Sequence, residues 1–203
     1  MIENENTDNS SLSSLNSTEK KDETTYEKIM EEKESHYSIL KVISEILTAT
    51  CEQSKFDNEE KILLIKSFMT KKRPNISIYE FLKRLYKYGK VSESIFILVL
   101  IYIDRLCRLG KIILTCYNIH RILFTAVLLA IKYNEDNFFE NEYYAKIAGV
   151  KNFELKNLEY NFFYKCNFDM YVDEETFGKY CKYINSNNND NDDEENKIKK
   201  LFF

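Results

Sequence analysis

Apolar and polar positions along this chain recur with the period of a helix. In 26–52, Tyr37, Leu40, Val42, Ile43, Ile46 and Leu47 return every three to four residues with charges between them, which predicts a first helix. Residues 56–76 are ambiguous, because the apolar run 62–65 suits a helical turn or an extended piece equally. Pro74 turns Arg73 away from helical geometry and marks a boundary. Ser77 then reads as an N-cap, with Glu80 completing a capping box. The helix it opens, 78–88, carries Ile78, Phe81, Leu82, Leu85 and Tyr86 on one face and is closed by Gly89.

Every residue in 95–103 is apolar or Tyr, which alone would allow a buried strand. The segment 92–109, however, runs without Gly or Pro for longer than a typical strand. It is expected to be a helix ending at Gly110, with Arg105 and Arg108 suited to its C-terminal dipole. Thr115 is expected to cap the next helix, which reaches about Asn134. Between Ile122 and Ile131 its only polar side chain is Thr125. A helix that is apolar all round must be surrounded, so this is the predicted central element. Shorter helices follow at 140–148, ended by Gly149, at about 152–165 and at about 173–184, the last containing Phe177, Tyr180 and Cys181.

Composition sharpens the outline. The chain has 203 residues but only four glycines and one proline. Average usage would give roughly fourteen and ten, so folds built from many tight turns are disfavoured. Residues 1–24 are too polar to offset the entropy of ordering and read as a disordered tail. Residues 185–203 read as a low-complexity acidic and Asn-rich tail, leaving one domain over 26–184. The net charge of −4 weighs against a nucleic-acid partner. The apolar runs reach about half the ~20 residues of a membrane span, and no signal-peptide pattern opens the chain. The expectation is an intracellular protein, cytoplasmic or nuclear, with no membrane partner. Five cysteines without a CxxC pair read as reduced thiols. His120 has no second histidine or paired cysteine at ligand spacing, so no metal or cofactor is expected.

Five segments quoted in order carry a resemblance: SIYEFLKRLYKYG (77–89), SIFILVLIYIDRL (94–106), TCYNIHRILFTAVLLAIKY (115–133), NEYYAKIAGV (141–150) and LKNLEYNFFYKCNFDMYV (155–172). Together they closely resemble a cyclin box, most specifically that of the single-box P-type and U-type cyclins. The resemblance covers roughly 37–184 and includes the helix SILKVISEIL. It implies an all-α bundle: five box helices (core 77–172) around a central buried helix, flanked by an N-terminal and a C-terminal helix. It also implies a regulatory subunit, not an enzyme, which binds and activates a cyclin-dependent protein kinase by docking on its C helix. Such a chain is a monomer or a heterodimer with the kinase.

The paired Lys and Glu of the family's grip match Lys132 and Glu159, and the apolar kinase-facing positions match Leu129, Tyr133, Phe163, Phe168 and Met170. The resemblance also implies an internal salt bridge at Asp104, for which Arg84 is the candidate partner. Partner binding and core packing draw on the same residue types, so sequence alone leaves the apolar set divided between them. Lys151 stands where relatives usually place Ser, which is expected to deprive Glu154 of a hydroxyl partner, with Asn152 as a substitute cap. The hydrophobic docking signature of cell-cycle cyclins is missing from the 78–88 helix. No Gly-rich phosphate loop, HExxH, GxSxG or Cys/His arrangement points to an enzyme. The competing readings are a cyclin-like transcription factor and a helical adaptor unrelated to kinases.

Overall fold

The computed structural model describes residues 37–54 and 66–187. The chain divides into two compact units, Met1–Tyr37 and Ser38–Phe203, and all described residues except Tyr37 lie in the second. Among the described residues there are only helices and no strand. In the second unit, α1 covers 38–53, and a short 3₁₀ turn spans Lys66–Phe68. The remaining helices are α2 (Ile78–Gly89), α3 (Glu93–Gly110), α4 (Ile119–Asn134), α5 (Asn141–Ala148), α6 (Asn152–Lys165) and α7 (Glu174–Asn187). The expected helical start at 26–36, the 62–65 run and both tails beyond residue 187 or before residue 37 lie outside the described residues.

Helix α4 is the axis of the bundle. It packs on α2, α3, α5, α6 and the 3₁₀ turn, and every residue from Ile122 to Ile131 is buried. Thr125, its lone polar side chain there, donates to the Arg121 carbonyl and so adds no unsatisfied group to the core. Helix α3 packs along α4 and is itself buried continuously from Ile95 to Asp104.

The joints use sharper chemistry than expected. The Ser77 hydroxyl accepts from the Glu80 amide at 3.1 Å, but the Glu80 carboxylate turns outward to Lys83 instead of closing the capping box. Helices α2 and α3 include their terminal glycines, and the left-handed turn falls one residue later, on Lys90 and Lys111. Gly110 answers a different need. A Cβ there would lie 3.1 Å from the Lys165 Cβ, so its hydrogen lets the end of α3 meet the end of α6. At the start of α4, Thr115 opens a turn, and Asn118 is the N-cap position. The Asn118 side chain accepts from the Thr115 amide and donates to the Ile113 carbonyl, closing that turn on itself.

Asp104 is buried, with 2% of its surface exposed, and its partner is not Arg84, which lies exposed on α2. Its Oδ2 accepts from Arg108 Nε at 2.9 Å, one turn along α3, and from the Tyr180 hydroxyl of α7 at 2.7 Å. Burial raises its pKa above the ordinary carboxylate value. Arg105 does not serve the α3 dipole either. It reaches across to the carbonyls of Asp169 and Tyr171, at 2.6 and 3.0 Å.

Helix α7 packs mainly on α3, and Asp173 caps it by accepting from the Thr176 amide. Gly178 sits inside α7 with ordinary backbone angles, and a Cβ there meets nothing within 4 Å. Gly178→Ala is therefore expected to stabilise the protein by about 1 kcal/mol. Thermal melting should move up by roughly 2–4 °C. A second prediction concerns His120, whose Nε2 meets the Ile76 carbonyl at 2.9 Å while Nδ1 is buried without a partner. Burial lowers its pKa below 6.5, so the folded state binds fewer protons than the unfolded chain. The stability this contributes is present above the unfolded value and is lost as pH falls through the folded one. Denaturant titrations from pH 7.5 to 5 should show the native chain losing stability relative to His120→Gln.

Candidate functional site

Lys132 stands in the last turn of α4, where the apolar cylinder reaches the surface. Its ammonium donates to Glu159 Oε1 on α6 at 2.5 Å, with the two side chains 25% and 14% exposed. The second Glu159 oxygen accepts from the Asn141 amide at 3.2 Å, at the first residue of α5. One carboxylate thus joins three helices. An ammonium has three donors, so Lys132 keeps hydrogen-bonding capacity beyond Glu159.

A second ion pair, Arg121–Glu154, ties the start of α4 to the first turn of α6. The Arg121 Nη1 donates to the Met69 carbonyl at 2.6 Å and holds the segment after the 3₁₀ turn. Lys151 is the α6 N-cap and gives no side-chain cap bond, while Asn152 is the first helical residue and not the cap. Glu154 therefore finds its partner across the helix pair and not in a local hydroxyl.

The apolar residues expected beside the pair divide. Tyr133 and Phe168 are exposed and Phe163 is half-buried. Phe163 and Phe168 stack with centroids 6.3 Å apart, and the Phe168 amide donates to the Phe163 carbonyl at 2.8 Å. Leu129 and Met170, only 1% and 2% exposed, are core residues and have no area to offer a partner. Met170 supports the face from beneath, its carbonyl accepting from the buried Tyr102 hydroxyl at 2.8 Å. Asn167 and Phe168 both take left-handed backbone angles, with φ of 53° and 58°. For an aromatic residue that conformation is strained, and the Arg105 grip on the next residues holds it. Asp104 and Arg108 form a separate structural pair on α3.

Sequence reasoning missed Asn141, whose only sign was a polar residue opening a short helix. It also missed Tyr160 and Tyr164, both exposed and stacked at 6.2 Å. Burial pushes the Cys51 and Cys166 thiols up to about 12, so both are protonated near neutrality. Among the described residues no cluster of three His, Cys, Asp or Glu has the arrangement of a metal site, and no helix is long and apolar enough to cross a membrane.

The helical bundle thus presents a half-buried ion pair beside exposed aromatics, residue types that protein interfaces favour. Comparison with known proteins defines it further. A cyclin family model matches residues 3–170, and the chain belongs to the cyclin family, whose members are regulatory proteins and not enzymes. Within that family it resembles the P and U types. It is 32% identical to Cyclin-U4-3 of Arabidopsis thaliana over 148 residues, 72% of this chain and 67% of that protein. It is 38% identical to Cyclin-P3-1 of Oryza sativa subsp. japonica over 108 residues, 53% of this chain and 46% of that protein. With Cyclin-U3-1 of Arabidopsis thaliana it shares 36% over 141 residues, 66% of this chain and 64% of that protein. The chain thus spans about half to two thirds of the curated relatives it matches.

The ion pair makes an energetic prediction. Glu159→Ala leaves Lys132 half-buried without its carboxylate and strips Asn141 of its acceptor, which should cost about 1–3 kcal/mol. Lys132→Ala/Glu159→Ala removes both charges and should cost less than the two single changes summed. Urea denaturation of the four proteins measures this coupling.

Proposed function

We propose that this chain binds and activates a cyclin-dependent protein kinase, docking the Lys132–Glu159 face on the kinase's C helix. The observation that carries the reading is the geometry of the pair in a cyclin-family chain. Lys132 and Glu159 come from different helices, meet at 2.5 Å and stay partly exposed beside Tyr133, Phe163 and Phe168. A lysine that only snorkels at a helix end would need no fixed partner across the bundle.

The chain supplies no reacting group to the kinase. Lys132 offers its free ammonium donors to main-chain carbonyls of the docked helix, and the aromatic residues cover that helix's apolar side. Held inward, the kinase C helix keeps its glutamate paired with the lysine that positions the ATP phosphates. Activation is then a shift in population. The chain favours the active conformer by the difference in its affinity for the two states and by nothing else. The cell-cycle or nutrient pathway served follows from the kinase engaged.

Affinity capture from a eukaryotic lysate, read by mass spectrometry, tests the reading. The native chain should recover a cyclin-dependent kinase and support its histone-peptide phosphorylation. The folded Lys132→Ala/Glu159→Ala variant should lose at least tenfold in recovery. Equal recovery by the double variant would remove these residues from the interface, and no kinase in the native sample would overturn the function.

A further inference from the structure

Helix α6 is apolar on two sides. Leu155, Leu158 and Phe162 are buried against the bundle, as any packed helix requires. Outside them runs a second stripe, Phe153, Tyr160 and Tyr164, continued by Phe168 just beyond the helix end. These residues are 62–66% exposed. Spacings of seven and four residues keep the first three on one helix face. The stripe is continuous at its C-terminal end, where Tyr160 stacks on Tyr164 at 6.2 Å and Tyr164 meets Phe168 edge-on at 6.3 Å. Taking about 200 Å² for each side chain, the linked three, Tyr160, Tyr164 and Phe168, expose roughly 370 Å². That lies within the ~300–600 Å² found for the largest apolar patch on a typical monomer.

The charges beside the stripe limit what can cover it. Lys156 lies one turn before Tyr160, and Lys165 lines an open groove together with Tyr164, Phe168 and Lys111. Among the described residues none of these lysines has a carboxylate partner. A second copy of this chain would present the same lysine-edged stripe, so an isologous pairing through α6 has no charge complementarity to offer. An apolar segment edged by carboxylates suits both the rings and the lysines.

Phe168 belongs at once to this stripe and to the stacked pair beside Glu159, so the two surfaces are one continuous face. We propose that the outer stripe of α6 is a second docking surface for the same kinase, taking an acid-edged apolar segment of it. This rests on the kinase reading above. Tyr160 and Tyr164 supply the contact area, and Lys156 and Lys165 select the partner by charge. Neither tyrosine fills the core, so both are free to serve recognition alone.

The test uses the full chain and the purified kinase recovered by the capture experiment, with affinity measured by calorimetry at two salt concentrations. Tyr160→Ser/Tyr164→Ser should weaken binding at least tenfold without lowering the melting temperature. Lys156→Glu/Lys165→Glu should also weaken it and flatten the salt dependence. Unchanged affinity in the tyrosine variant, with loss in Lys132→Ala/Glu159→Ala, would overturn the stripe and leave the kinase reading standing. Loss of affinity in both variants supports the two together. Failure of the native chain to bind any kinase would overturn both. In that case, sedimentation showing a dimer that Tyr160→Ser/Tyr164→Ser dissolves would assign the stripe to self-association.

Discussion

The burial of α4 is the constraint on which the rest depends. A helix with no polar face has no stable position except inside a shell of other helices. Four helices and the 3₁₀ turn provide that shell, and their packing fixes where each of their own outer faces points. Charge can enter only where the cylinder ends. Arg121 marks one end and Lys132 the other, and each is met by a carboxylate of α6. The candidate site is therefore the place where this buried helix surfaces.

The helices were legible in the sequence because periodicity and local punctuation are short-range signals. Gly89, Gly110, Gly149 and the Ser77 cap stand within a residue of the observed boundaries. The central position of α4 followed from its composition alone. Polar pairings across the fold were less legible, since nothing local distinguishes one arginine from another. Asp104 chose Arg108 one turn away and Tyr180 from a helix seventy-six positions later, and Arg84, only twenty positions before it, played no part. Glu154 was expected to lose its partner and found Arg121 instead. Among the apolar residues, Leu129 and Met170 could be separated from Tyr133 and Phe168 only once depth was known. The Lys132–Glu159 pairing was readable only through the resemblance to cyclins.

Helix α6 shows why an average over a helix conceals its work. Its buried and exposed faces are both apolar, so its asymmetry nearly cancels although each face has a distinct role. The inner face contributes to folding, and the outer one keeps a hydrophobic area in water. The two carboxylates of α6 lie between these faces, each fastened to α4. Their pairing limits rotation of the helix, which keeps the outer rings at a constant angle to Lys132.

Arg105 grips the segment after α6 by carbonyl oxygens of Asp169 and Tyr171, and Tyr102 holds the carbonyl of Met170 between them. Every amino acid brings the same carbonyl, so this anchor is largely blind to which side chains the segment carries. Phe168 and Tyr171 point outward from a main chain whose path is held by α3. Mutation can therefore alter the exposed chemistry there while the scaffold keeps its shape. The exposed chemistry of this tip and the integrity of the bundle are set by separate parts of the same residues, side chain for one and main chain for the other.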